Sequence, residues 1–256
     1  MKHASYILTL LGALLVPILW ITAKTFLSID DRYLPSVNAV IRAAVALEPS
    51  LLHHTVYTAT RLVLGSTLGI IAGIALGLAL HRWKIFARIG MPSVQSMRAI
   101  PPLAIVPFFL LWFGFSEVGR YLMVVAGIGF NVAVATYHIA EDVPEKYSIM
   151  FAGLRVSPRK FILSFALPRA LERLLPTLRF SVATAAGLVI VSELLGSQIG
   201  LGYLIQSARS TFATHTIFLA AIVLGLLSTC TDFLVRIGWR RIVYWDNRRG
   251  RSAEHS

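Results

Sequence analysis

The chain has 256 residues, 56% of them hydrophobic and only 14% charged, with 24 Lys and Arg against 12 Asp and Glu and a net charge of +12. A soluble domain carries about 25% charged residues, so this composition excludes an ordinary soluble fold. The lone Cys230 excludes an intrachain disulfide and a cysteine metal site.

Six stretches are long enough to cross a bilayer, whose roughly 30 Å core needs about 20 helical residues. They run 4–23, 62–80, 99–116, 121–140, 180–208 (with Glu193 as the one charge) and 210–231. The expected fold is therefore all-α: a polytopic membrane protein of six transmembrane helices, with the whole chain forming one membrane domain. The first run is longer than a signal-peptide core and no small-residue cleavage pattern follows it, so it counts as a spanning helix. Residues 24–55 make a polar connection. Asp30-Asp31-Arg32 and Leu34-Pro35-Ser36 read as a turn, and Val37, Val40, Ile41 and Ala44 then recur at helical spacing, which suggests a short interfacial helix. His53-His54 are adjacent, not at metal-ligand spacing, and read as residues of the outer connection.

In the second run Gly65, Gly69, Gly73 and Gly77 recur every four residues. Small residues at this spacing let another backbone approach closely, and in lipid such packing replaces the hydrophobic effect as the glue between helices. The third run opens on Ile100-Pro101-Pro102 and meets Pro107, which reads as an interruption. Pro101 and Pro102 are candidates for a pathway or gate, because broken helices at membrane depth are tolerated where they line a cavity; a plain kinked packing helix is the alternative.

The connection from Glu141 to Arg179 is basic, with Lys146, Arg155, Arg159, Lys160, Arg169, Arg173 and Arg179 against Glu141, Asp142, Glu145 and Glu172. Tyr147, Met150, Phe151 and Leu154 fall on one helical face. Ser157-Pro158 reads as a restart, with Ser as N-cap and Pro at the first helical position; Leu167-Pro168 reads as the end of that second helix. Such a bent basic segment suits docking to a soluble partner, with a membrane-hugging loop as the alternative. In the fifth run Glu193 is expensive to bury unpaired, so it should face a cavity, a partner or the outer interface, and it is a further gate candidate. Arg98 and Arg209 lie at span ends, where they can attract anions or anchor the helices by snorkelling.

With six spans both termini share one side. Placing that side in the cytoplasm puts 18 of the 24 Lys and Arg there and leaves Lys24, Arg32, Arg42, Arg61, Arg120 and Arg209 outside, the asymmetry that orients membrane proteins. The positive charge then serves orientation and contact with anionic membrane lipid rather than nucleic acid.

Three stretches carry a family resemblance. Ile100-Pro101-Pro102-Leu103-Ala104 with Leu111-Trp112-Phe113-Gly114 is one. Ser192-Glu193-Leu194-Leu195-Gly196 with Gly200-Leu201-Gly202-Tyr203-Leu204 and Ala208-Arg209 is the second, and Leu167-Pro168 closes the third. From about Leu34 to Trp245 the chain resembles the permease subunit of bacterial ABC importers, in the branch associated with nitrate, sulfonate, taurine and bicarbonate uptake. The resemblance implies a type I importer permease in the bacterial inner membrane. Its implied partners are a cytoplasmic ATPase dimer that holds the ATP and Mg, a second permease subunit, taken here as a second copy, and an extracytoplasmic solute-binding protein. It also implies an ATPase-coupling segment at Met150, Phe151, Ala152, Gly153, Leu154, Arg155, Ser157, Pro158, Arg159 and Lys160, closed by Leu167 and Pro168.

That segment departs from the family form of Glu-Ala-Ala, three residues, Gly, nine residues and Ile-x-Leu-Pro. Ile149-Met150-Phe151 stand for Glu-Ala-Ala, Arg155 for the glycine and Phe165 for the isoleucine, with Gly153 two residues early. Arg155 does not adopt a positive φ as readily as glycine, so either the bend is ordinary right-handed geometry or the docking surface differs. The chain has no Gly-Lys dipeptide and hence no phosphate-cradling loop. It shows no Ser/His/Asp, two-carboxylate or His-Glu-x-x-His arrangement either, so the expectation is a non-catalytic subunit binding no cofactor or metal. A stand-alone secondary transporter is the other reading; it would want paired broken helices and inward ionisable groups, of which only Glu193 qualifies.

Overall fold

The computed structural model describes residues 2–142, 149–150, 153–154, 157 and 167–243. The described residues form nine long or medium helices and no strand: α1 (Lys2–Phe26), α2 (Val37–Ala46), α3 (Ser50–Arg82), α4 (Lys84–Ala99), α5 (Pro102–Phe113), α6 (Glu117–Glu141), α7 (Leu167–Gly196), α8 (Leu201–Ser210) and α9 (Thr214–Ile242). Four of them, α3, α6, α7 and α9, are long and apolar enough to cross a membrane, and α4 with α5 makes a fifth span if the bent pair is counted as one. α1 is 25 residues long.

The centre of the bundle is the parallel pair α3 and α6, and glycine is what brings them together. A methyl group added at Gly65 would stand 3.0 Å from Val124 Cγ1, at Gly69 2.6 Å from Ile128 Cγ1, at Gly73 2.6 Å from Val132 Cβ and 2.7 Å from the Gly129 carbonyl, and at Gly77 2.6 Å from Thr136 Cβ. The glycine stripe of one helix therefore receives the β-branched stripe Val124, Ile128, Val132, Thr136 of the other, four residues against four. α7 closes over this seam with Ala185, Leu188 and Val189, which join Leu62, Val106, Met123, Val124 and Ile128 in one core. Leu174 and Leu178 extend the contact toward the opposite end beside Val132.

Residues 99–116 do not form one straight span. α4 and α5 meet at a bend of 99°. Ile100 and Pro101 both have extended backbone, and Pro102 takes the first helical position of α5, where its missing N–H costs nothing. Pro107 does not interrupt the helix; α5 runs through it. The bent pair spans half the bundle: Leu80 Cδ2 lies 3.1 Å from a methyl built on Gly90, and Pro102 Cβ lies 3.5 Å from one built on Gly127. Gly127 is ten residues into α6, about 15 Å from the Glu117 end and about 21 Å from the Glu141 end at 1.5 Å per residue. The break is thus midway through the bundle.

One further boundary differs from the sequence expectation. The fifth run is not one helix to residue 208; α7 stops at Gly196 and the chain turns through residues 197–200 into α8, because Gly200 sits at φ 131°, a conformation other residues avoid. Leu167 and Pro168 are the first described residues of α7; the helix expected to end at them lies outside the described residues. Arg169, Arg173 and Arg179 accordingly lie on α7 and not in a loop.

α2 starts at Ser36, whose hydroxyl accepts from Ala39 N–H at 3.3 Å, the usual N-cap device. It does not lie free at an interface: Val40 and Ala43 pack with Leu219 of α9 and Trp20 of α1, and Trp20 Nε1–H donates to the Pro35 carbonyl at 3.1 Å.

Candidate functional site

At the end of the bundle where α3 and α6 begin and α7 ends, four charged side chains meet. Arg61, in the fourth turn of α3 and just before its uncharged run, donates through Nη1 to Glu193 Oε1 at 2.7 Å and to the Ile199 carbonyl at 2.7 Å. Its Nε and Nη2 reach both oxygens of Glu117 at 2.9 and 2.5 Å. Arg120, one turn after Glu117 on α6, donates to Glu117 Oε1 at 2.6 Å and to the Gly196 carbonyl at 2.7 Å. The Arg61, Arg120 and Glu193 side chains are 4%, 7% and 0% exposed, whereas Glu117 is 47% exposed. Two positive and two negative groups therefore neutralise one another, and only Glu117 looks outward.

The polar backbone around them is spoken for. Thr58 lies one turn before Arg61, its hydroxyl 2.9 and 3.0 Å from the two Glu193 oxygens, and the same oxygen accepts from Leu201 N–H at 2.8 Å. Gly202 N–H donates to Glu193 Oε2 at 2.9 Å, and Gly200 N–H donates to His54 Nδ1 at 3.0 Å. Glu193 thus caps the first turn of α8, where a carboxylate is favoured by the exposed N–H groups. Gly200 and Gly202 have to be glycine here: a Cβ on either falls on the Glu193 side chain. A surface cavity of about 350 Å³ adjoins the cluster, lined by Tyr57, Arg61, Glu117, Arg120 and Gln198 among others. Chemically the arrangement is a clamp. It holds the turn 197–200 against α3 and α6.

At the opposite end, between α6 and α7, Ile149, Met150 and Leu154 are exposed, and Leu154 N–H donates to the Met150 carbonyl at 3.1 Å, one helical turn. Gly153 and Ser157 are exposed as well. Phe151, Ala152, Arg155, Pro158, Arg159 and Lys160 lie outside the described residues. Beside this connection Arg173 pairs with Asp142, and Arg179 Nε meets Asp232 at 2.7 Å, tying α7 to α9.

The gate candidates named from sequence do not come together. Pro101 and Pro102 sit midway, at the level of Gly127 and Leu188, while Glu193 lies in the clamp at the bundle end. Glu193 faces neither a cavity nor an open interface; it is fully buried against Arg61. His54 is not a plain loop residue: it lies in the second turn of α3 and accepts from Gly200 N–H. Sequence reasoning missed Thr58, Arg61, Glu117 and Arg120. Their signal was present: Thr58 and Arg61, and Glu117 and Arg120, are each three apart just before an uncharged run, with one acid alone in a third run. Among the described residues no group of three metal-ligating side chains occurs. The groove of about 400 Å³ between α3, α5 and α6, lined by Leu76, Phe109, Trp112, Leu122 and Phe130 among others, carries no charge and suits lipid tails or an apolar helix.

Residues 65–244 match the family described as binding-protein-dependent transport system inner membrane component. The chain belongs to this family. It is similar to a candidate aliphatic sulfonates transport permease protein of Bacillus subtilis, SsuC, at 34% identity over 72% of this chain and 66% of that protein. It is also similar to the taurine transport system permease protein TauC of Escherichia coli, at 25% identity over 88% of this chain and 85% of that one. Among solved structures, an inward-facing form of the MetNI methionine ABC transporter shares the fold, with a TM-score of 0.58, 17% identity and coverage of 73% of this chain and 95% of that chain. The protein is accordingly a membrane-embedded permease subunit of an ABC importer, and the importer fold is the one its helices adopt.

Proposed function

We propose that this permease carries a small sulfonate or related oxyanion inward, in an inner membrane, driven by a separate ATPase pair. The single observation that carries the substrate class is the 34% identity to a protein named for aliphatic sulfonates, with the taurine relative beside it. The permease acts as one membrane domain, paired with a second copy of itself and supplied by an extracytoplasmic solute-binding protein. It performs no catalysis and binds no cofactor of its own; ATP and Mg sit in the partner. Both termini and the 142–166 connection face the cytoplasm, the side to which the Lys and Arg asymmetry assigns them.

In this reading the segment from Met150 to Lys160 is where the ATPase pushes. Support comes from the exposed turn at Ile149, Met150 and Leu154, which offers an apolar face of the kind that seats in a groove, and from the basic residues Arg155, Arg159 and Lys160, which can steer toward acidic groups. Phe151→Asp tests it in vesicles containing the complete importer. Sulfonate uptake driven by ATP should fall to background while the permease remains at normal abundance in the membrane. Uptake at the unmodified rate refutes the docking role of this segment.

A further inference from the structure

Several charged side chains of the spanning helices are paired; Arg98, at the break between α4 and α5, is among the described ones that are not. Arg61 and Arg120 pair with Glu193 and Glu117, and Arg179 with Asp232. Arg98 is exposed and takes part in no hydrogen bond or ion pair among the described residues. Its depth follows from its neighbours. Val94, one turn earlier, packs in a cluster with Ala133 and Val134 of α6, and Pro102, one turn later, lies at Gly127. Arg98 therefore sits between the levels of Ala133 and Gly127, roughly 12 to 21 Å in from the Glu141 end of α6. That level is inside the bundle rather than at its end, where the uncharged run suggests an anchoring role by snorkelling.

A guanidinium at that depth is not compatible with lipid; ionisable groups within a membrane face protein-lined water or a partner charge. α4 supports the first. Gln95 precedes Arg98 by three residues, on the same helical face, and is exposed too. Arg88 continues that face seven residues before Gln95, toward the basic end of the bundle. A broken helix at mid-membrane is itself a feature of cavity-lining segments. We propose that Arg98, with Gln95 beside it, binds the anionic head of the transported solute as it passes the α4–α5 break. The planar fork of the guanidinium presents paired donors to two oxygens of a sulfonate or a similar oxyanion. This assignment rests on the reading that the solute is an anion. It gives the permease its own selectivity for charge, additional to that of the binding protein.

The test uses the complete importer, permease with its ATPase and binding protein, in liposomes, with ethanesulfonate as the probe. Uptake and ATP hydrolysis are measured together for Arg98→Gln and Arg98→Lys. Arg98→Gln is expected to lower ethanesulfonate carried per ATP at least tenfold, while ATP hydrolysis stimulated by the loaded binding protein stays within twofold. Arg98→Lys should keep a third or more of the transport. Full transport per ATP by Arg98→Gln overturns the assignment, and so does equal loss in both variants accompanied by loss of hydrolysis, which marks a structural role. For a variant that fails to fold, Gln95→Ala gives the second arm: a threefold or greater loss of transport per ATP is expected, and no loss overturns the joint site. If the unmodified importer carries no anion at all, the substrate reading falls first and this site with it. If it carries ethanesulfonate and Arg98→Gln does so equally well, only the Arg98 site falls.

Discussion

Removing Arg61 should do more harm than removing any other member of the charge cluster. Arg61→Ala deletes four charge-assisted contacts, to Glu193, to the Ile199 carbonyl and to both oxygens of Glu117. Glu117 can turn to water and keeps Arg120. Glu193 has no such escape: its side chain is 0% exposed, and only Thr58 and Gly202 N–H remain to it. Breaking a buried pair from one side typically costs about 3–5 kcal/mol, because a charge is left without compensation. Glu117→Gln is a different case. The group is half exposed, and an amide oxygen still accepts from the arginines, so about 1 kcal/mol or less is expected, as for exposed pairs. At roughly 2–4 °C per kcal/mol for a chain of this size, Arg61→Ala should melt roughly 6–20 °C lower and Glu117→Gln within a few degrees of the parent. The assay is thermal unfolding of the purified permease in detergent, checked by membrane abundance. A third protein sharpens it. Arg61→Leu combined with Glu193→Leu removes the stranded charge and should be more stable than Arg61→Leu alone, a coupling that only contacting residues show. If Arg61→Ala melts no lower than Glu117→Gln, or the double variant is no better than the single, the cluster is not a buried electrostatic clamp.

The glycine positions give two contrasts. Gly73→Ala forces a methyl to within 2.7 Å of the Gly129 carbonyl, part of a backbone that cannot swing aside, so a loss of about 1–3 kcal/mol and lower membrane abundance are expected. Gly187→Ala meets nothing within 4 Å and should leave melting unchanged or slightly raised, since alanine favours the helix; equal melting of the two variants would contradict close packing along α3 and α6. Gly200→Ala combines a φ of 131° with a Cβ that falls on the Glu193 carboxylate, and it should abolish folded permease in the membrane, as read by fluorescence size-exclusion of a tagged chain.

Much of the fold was legible because the membrane imposes simple rules. Uncharged runs of sufficient length mark the spans, and a four-residue glycine period marks the seam, since both are local in sequence and fixed by one helix at a time. The clamp was not legible for the opposite reason. Arg61 and Glu193 are 132 positions apart, and an arginine at the edge of an apolar run looks like an orienting loop charge until a partner is placed beside it. The bend at Pro101 was signalled by its prolines, but its depth was set by Gly127, Ala133 and Leu80, which are contacts no single stretch contains.

The two ends of the bundle differ in a way that bears on coupling. A push at the 142–166 connection moves a distant site only if the helices it reaches are stiff and share an anchor. α6 runs into the connection already interlocked with α3 over four turns, by glycines that admit no slack. α7 enters from the same connection, tied to α9 through Arg179 and Asp232 and packed over the α3–α6 seam. At the far end Arg61 binds α3, α6 and α7 into one piece. With both ends of these helices fixed to one another, bending within the group is costly and tilting of the whole group is not. The compliant element is then the α4–α5 pair, joined at a two-residue break with extended backbone, its two arms seated on the group through Met91 and Val94 on one side of the break and Val106 on the other. On the proposed reading, ATPase closure tilts the rigid group and the α4–α5 angle absorbs the difference, which places the moving hinge at the same depth as the unpaired Arg98. Locking that hinge should therefore separate the two events: a crosslink between α4 and α5 would leave solute bound and ATP hydrolysis uncoupled, whereas a crosslink within the α3–α6 seam would leave transport intact.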